Sequence, residues 1–247
     1  MKYGGSVKGF RRTWFFGVLV VLWGLLTIFL TCLAILLTAP FRGGVRAFFS
    51  IGPLWARQML SICGVSLEVQ GWDELPEEIR TGRQPVIFMS NHQSNLDPPV
   101  LIATIPVPAV YISKKELKWM PFVGWAAQLA GVIFIDRGNR EKAVQEIHRA
   151  ALEIKGGKNV VIFPEGTRTR TGELGPFKKG GFALAQKAGV PIVPLATVGG
   201  FEVLPVGHLR LKPGSYCIRF GAPVDAAAYE QRDELIAEVR HRVEALL

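Results

Sequence analysis

The stretch Pro85-Val-Ile-Phe-Met-Ser-Asn-His-Gln-Ser-Asn-Leu-Asp97, followed by Pro98 and Pro99, decides how the chain is read. Residues 85–90 form a short apolar run rich in strand-forming types, and the prolines after Asp97 force a turn or a helix start. His92 therefore stands at the end of a strand. In an open α/β sheet, side chains at that place project into the crevice where ligands bind. An imidazole titrates near neutral pH and can take a proton from an alcohol, and a carboxylate on its other ring nitrogen fixes the tautomer. Asp97 is the candidate for that carboxylate. Taken alone, the stretch fits equally a solvated loop histidine and an aspartate that caps the next helix.

The surrounding pattern supports the strand. Short apolar runs at 66–70, 85–89, 108–112, 132–135, 159–163, 192–197 and 216–220 read as strands. Helical spacing appears at 139–155, with Ala143, Ile147, Ala150 and Ile154 inward and Gly156-Gly157 as the stop. It recurs at 181–187, before Gly189, and at 226–246, where Leu235, Val239, Val243 and Leu246 share a face. Such alternation predicts the α/β class, a mostly parallel sheet of about seven strands flanked by helices.

The N-terminus differs in character. No charged residue occurs over 14–39, a run of about 26 residues against the ~20 that cross a bilayer as a helix. It is too long for the apolar core of a signal peptide. After Pro40 and Gly43-Gly44, residues 45–63 put Phe48, Ile51, Trp55, Met59 and Ile62 on one helical face and Arg46, Ser50, Arg57 and Ser61 on another. This is a membrane-surface pattern, with a kink expected at Gly52-Pro53. An ordinary core-packing helix has the same periodicity. Lys2, Lys8, Arg11 and Arg12 precede the apolar run while Arg42, Arg46 and Arg57 follow it, so positive charge marks neither flank. A segment that enters and leaves one leaflet is expected over a single span.

The chain has 247 residues, 49% of them hydrophobic, enough for a full core and an appendage. Its net charge of +9 suits an anionic membrane or acidic small substrates, and no nucleic-acid motif accompanies it. Cys32, Cys63 and Cys217 are too dispersed for a disulfide framework or a zinc site. His148, His208 and His241 lack ligand spacing, so no metal set is expected. The absence of Gly-x-Ser-x-Gly disfavours a serine hydrolase, and 172–178 lacks P-loop spacing.

Three more stretches end predicted strands: Gly131-Val-Ile-Phe-Ile-Asp-Arg137, Phe163-Pro-Glu-Gly-Thr-Arg168 and Val190-Pro-Ile-Val-Pro194. A guanidinium matches a phosphate with two parallel donors, so Arg137 and Arg168 together would clamp one, with Lys114 adding charge. Gly166 lets backbone approach a ligand closely, and Glu165 could hold an arginine or a substrate hydroxyl. Singly, each arginine has an ion-pair partner at hand in Asp136 or Glu165.

Together, these stretches resemble the glycerolipid acyltransferase family, and closely the bacterial 1-acylglycerol-3-phosphate acyltransferases. That family carries His-x4-Asp, Gly-x-x-Phe-x-x-Arg, Phe-Pro-Glu-Gly-Thr-Arg and Val-Pro-x-x-Pro motifs, and all four occur here in the same order. The resemblance covers about 66–220. It implies catalytic roles for His92 and Asp97, and acceptor or phosphate binding by Arg137, Glu165, Gly166 and Arg168, with Lys114 beside them. It further implies membrane-binding helices over 1–64, an acyltransferase domain over 65–247, and a place at the cytoplasmic face of the cell membrane. The implied reaction moves an acyl chain from acyl-CoA or an acyl carrier protein to lysophosphatidic acid without a resident cofactor. Acylation of glycerol-3-phosphate or another lysophospholipid, or lipid binding without catalysis, would use many of the same groups.

Overall fold

The computed structural model describes residues 23, 26–27, 29–41, 43–121, 123–136, 138, 140–208 and 211–247. Its strands are β1 (Val65–Gln70), β2 (Ile87–Ser90), β3 (Ala109–Lys114), β4 (Ile133–Ile135), β5 (Asn159–Ile162), β6 (Ile192–Val198) and β7 (Gly214–Phe220). They form one sheet in the order β1-β7-β6-β2-β5-β3-β4. All neighbours are parallel except β6 and β7. The seven expected strands are all present, their ends displaced by one or two residues.

The helices are α1 (helical at 29–41), α2 (Gly44–Ile62), α3 (Glu77–Arg80), α4 (Asp97–Thr104), α5 (Val123–Leu129), α6 (Arg140–Lys155), α7 (Lys179–Ala188), α8 (Gly200–Val203) and α9 (Arg232–Leu246). The predicted helix over 226–246 is instead divided. The Asp225 carboxylate accepts from the Ala227 N–H and caps a 3₁₀ turn, Tyr229 is extended, and α9 starts afresh at Arg232. Pro40 does not break α1, which runs through it to Phe41. Gly43, with φ of 76°, makes the stop.

The sheet buries side chains on both faces because successive residues of a strand point opposite ways. Phe88 lies in a cluster with Val100, Leu101, Tyr216, Ile218 and Phe220 beneath α2 and α4. Ile87 and Met89 turn to the other face, against Ile154 of α6, Phe182 of α7 and Val239 of α9. Each such side chain, moved fully from water, contributes about 1.5–3 kcal/mol.

Helix α2 continues through Pro53 and belongs to this body. Ala47, Gly52, Ala56 and Leu60 are buried, Trp55 and Met59 pack on the first cluster, and the Arg57 guanidinium donates to the Ala103 carbonyl at 2.8 Å. Of the apolar run at 14–39, residues 14–22, 24, 25 and 28 lie outside the described residues. Among those described, no helix is long and apolar enough to cross a membrane. Helix α1 buries Cys32 and Ile35 but leaves Leu26, Leu30, Leu33, Leu37 and Phe41 exposed at helical spacing.

Asn159 ties three strands at their entry. Its carbonyl accepts from the Val86 N–H at 3.0 Å in buried surroundings, and its amide donates to the Pro108 carbonyl at 3.0 Å in partly buried ones. Asn159→Ala leaves both groups without partners and should destabilise the fold by roughly 2 kcal/mol or more, read as a lowered Tm. Turnover at a permissive temperature should stay near wild type, because the residue is at the end of the sheet away from His92.

Candidate active site

The strand order turns separate sequence motifs into neighbours. Strands β2, β5, β3 and β4 run parallel and adjacent, so their C-terminal ends form one edge. His92 follows β2, the 163–168 stretch follows β5, Lys114 ends β3, and Arg137 is two positions after β4. At ~4.8 Å between strands, Arg168 springs from the strand next to that of His92, while Lys114 starts about 10 Å away. Arg137 itself lies outside the described residues.

His92 is held on all sides. Its Nδ1–H donates to Asp97 Oδ2 at 2.6 Å, the direction an ionised carboxylate requires, which leaves Nε2 as the acceptor. Its ring stacks on Phe163, with centroids 3.9 Å apart and planes at 14°, and Tyr111 stacks behind Phe163. Its backbone N–H donates to Glu165 Oε1 at 2.7 Å, and its carbonyl accepts from the Thr169 N–H at 2.8 Å. The side chain keeps 16% exposure.

Asp97 is fully buried. Its carboxylate turns back into the loop instead of capping α4. Oδ2 also accepts from the N–H groups of Gln93 and Ser94, at 2.7 and 2.8 Å, and Oδ1 accepts from the Tyr216 hydroxyl at 2.6 Å. Asn91 fastens the end of β2 to β6, donating to the Thr197 carbonyl and accepting from the Thr197 N–H. Sequence reasoning missed Asn91, Phe163 and Tyr216 as supports of the pair. Asn91 and Phe163 could have been noticed from their adjacency to the motifs, but Tyr216 carries no local signal.

Glu165 is also buried, and each of its oxygens accepts from a backbone N–H: that of His92 at 2.7 Å and that of Gly175 at 2.9 Å. Burial pushes its carboxyl above the ordinary value, while the two N–H donors and the His92 ring pull it down. The loop it reaches is secured from α9, where Arg240 donates to the carbonyls of Leu174 and Gly175 and packs over the Phe177 ring. Glu165 thus links the base to the loop. It also lines a cavity of about 340 Å³ with Thr167, Arg168, Thr169, Leu174 and Lys178.

Gly166 has φ of 71°, and a Cβ there would approach Lys178 Nζ to 2.9 Å. Its lack of a side chain therefore lets the lysine lie across the loop beside Arg168. Lys114 is exposed at the end of β3, and the neighbouring Lys115 donates to Asp136 Oδ2 at 2.6 Å. That bond is the main reason the Asp136 carboxyl is held below its usual range. A cavity of about 390 Å³ near Arg57, Trp72 and Thr104 is at the opposite end of the sheet, lined also by Asp73 and Glu74 but by no histidine.

A family model described as acyltransferase matches residues 66–198. The chain belongs to the acyltransferase family. A 1-acyl-sn-glycerol-3-phosphate acyltransferase of Pseudomonas aeruginosa is 32% identical over 97% of this chain and 90% of its own length. Its counterpart in Saccharomyces cerevisiae is 39% identical over 67% of this chain, which spans only 54% of that relative. The chain spans 39% of a chloroplastic relative from Brassica napus, at 38% identity over 57% of this chain. The crystal structure of the 1-acyl-sn-glycerophosphate (LPA) acyltransferase PlsC from Thermotoga maritima shares the fold, with a TM-score of 0.72 and 23% identity. That superposition covers 92% of this chain and 96% of the other.

In this acyltransferase, Glu165→Gln should lower kcat by about tenfold or more, since an amide cannot accept from both N–H groups without turning a donor toward one of them. The KM for the acceptor should stay within about threefold of wild type, and the amides of His92 and Gly175 should exchange faster with deuterium. A rise in acceptor KM alone would mean that Glu165 binds substrate directly.

Proposed function

We propose that the chain transfers an acyl group from a thioester donor to the free hydroxyl of 1-acylglycerol-3-phosphate, producing phosphatidic acid for phospholipid synthesis. The observation that carries this reading is the His92–Asp97 pair, with Nε2 left as an acceptor, at the strand end next to the one that bears Arg168. Family membership gives it its reaction class.

His92 Nε2 takes the proton of the acceptor hydroxyl as that oxygen attacks the thioester carbon. Asp97 and the stacked Phe163 ring keep the imidazole in place, and Asp97 balances the charge of the imidazolium. The tetrahedral oxyanion draws on backbone N–H groups of the strand-end loops or on Lys114. Collapse breaks the carbon–sulfur bond, and the departing thiolate takes up the proton held by His92 to leave as the thiol of coenzyme A or of an acyl carrier protein. Arg168 holds the acceptor phosphate, with Lys114 and Arg137 alongside, so that the hydroxyl lies within reach of the base. Gly166 shapes this acceptor site through the loop backbone, while Glu165 holds His92 and the Gly175 loop in register. Glycerol-3-phosphate and other lysophospholipids present the same phosphate and hydroxyl and are the competing acceptors.

Thiol release from an acyl-CoA by the purified full-length protein should require added lysophosphatidic acid and disappear in His92→Ala. Arg168→Ala should raise the KM for lysophosphatidic acid by about one to two decades, the equivalent of a lost charge-assisted hydrogen bond, while the donor KM changes less. Release without acceptor would indicate a hydrolase. No release with any acceptor would indicate a lipid-binding protein.

The acceptor brings its acyl chain from a bilayer, and the exposed apolar face of α1 supports docking there. The protein sits on the cytoplasmic face of the membrane, where soluble thioesters are found, and the net charge of +9 favours anionic lipid. Tyr3→Cys, in a background with Cys32, Cys63 and Cys217 replaced, should resist an impermeant thiol reagent in intact cells and react once they are opened. Labelling from outside would establish that the N-terminus spans.

A further inference from the structure

Tyr216 is completely buried near the start of β7 and is 119 positions from Asp97, yet its hydroxyl donates to Asp97 Oδ1 at 2.6 Å. The other oxygen of that carboxylate already serves His92, Gln93 and Ser94. The fold makes room for this bond. A Cβ on Gly200 would collide with the Tyr216 hydroxyl and come within 3.1 Å of Asp97 Oδ1. The antiparallel pairing of β6 with β7 is what starts β7 at the catalytic edge, beside the end of β6.

We propose that Tyr216 is a positioning residue for acyl transfer, one whose hydroxyl sets how strongly Asp97 draws the proton onto His92. The inference rests on the reading of His92 as the base. Each hydrogen bond to a carboxylate stabilises its charge and makes it a weaker acceptor for the remaining donors. The phenol thus tempers the pull of Asp97 on the His92 Nδ1–H and keeps the base able to give up its proton after each turnover. Tyr216 keeps its own proton throughout. The one proton that moves passes from the acceptor hydroxyl to His92 Nε2 as the ester bond forms, and from there to the departing thiolate once the carbon–sulfur bond breaks, which returns His92 to its neutral form.

The surroundings favour a permanent donor. Burial and the Asp97 charge push the Tyr216 phenol far above its ordinary value, so it remains protonated across any practical assay range. Other titratable groups that sense this carboxylate or the phenol are His92 on the same loop, Glu165 after β5, Tyr111 on β3 and Glu202 on α8. Strand β6 carries no charged side chain, α4 carries only Asp97, and Glu68 of β1 is exposed.

The test compares full-length wild type, Tyr216→Phe and a protein with 3-fluorotyrosine at 216, in detergent micelles with oleoyl-CoA and 1-oleoyl lysophosphatidic acid. Phenylalanine removes the donor without altering the ring. The acid limb of kcat/KM against pH should move upward by about half to one pH unit, with kcat lowered roughly three- to thirtyfold and both KM values within about twofold. The fluorinated phenol is a stronger donor and should move the limb downward. An acid limb that stays in place in both variants overturns the proposal, whatever happens to kcat, since a purely structural role predicts no shift of opposite sign. His92→Ala in the same assay separates the two levels of inference. Retained turnover there would sink the assignment of the base itself. An inactive His92→Ala with unmoved limbs would sink only the role of Tyr216.

Discussion

Asp97 has no solvent to stabilise its charge, and a buried carboxylate is costly unless its lone pairs are occupied. Here they are occupied by His92 Nδ1–H, the N–H groups of Gln93 and Ser94, and the Tyr216 hydroxyl. Much of the local architecture meets that one requirement. The loop after β2 curls so that two of its N–H groups converge on a single oxygen. Strand β7 delivers its tyrosine from the far side, and Gly200 stays bare so that the two can meet. An imidazole fixed in this way, with Phe163 against one face, has little freedom left, and its Nε2 is the ring nitrogen not engaged by Asp97.

The site's second level of organisation is the strand order. Parallel strands joined by helices place every loop that follows a strand at the same edge, and the sequence-distant motifs thereby become lateral neighbours. His92 and the 163–168 stretch follow adjacent strands. Glu165 completes the connection within the protein. It gives one oxygen to the backbone of His92 and the other to the loop that Arg240 secures from the C-terminal helix. Movement of the cavity wall is therefore coupled mechanically to the position of the base.

Helix α2 uses its small residues Ala47, Gly52 and Ala56 to lie close on the body, while α1 presents leucines and Phe41 outward. Periodicity alone suggested a membrane-surface helix over 45–63. Packing instead uses Trp55 and Met59 to cover the core, leaving Leu54 and Ile62 exposed. An apolar face satisfies its need to leave water equally well against protein or against lipid, and sequence pattern cannot distinguish the two.

The sequence by itself determined the α/β class, the seven strands, the pairing of His92 with Asp97 and the arginine-bearing stretches, because each is written in local alternation, in glycine and proline punctuation or in residues a few positions apart. Only the tertiary structure decided which strand ends adjoin and that the 226–246 segment is interrupted. It likewise decided that Glu165 secures backbone at both oxygens, and that Tyr216 completes the hydrogen bonding of Asp97. These depend on contacts between residues tens to more than a hundred positions apart. A tyrosine in a strand reads from sequence as core, and nothing in its neighbours reveals that its hydroxyl ends against a buried carboxylate. That partnership exists only once β6 and β7 pair antiparallel and bring the start of β7 to the edge where β2 ends.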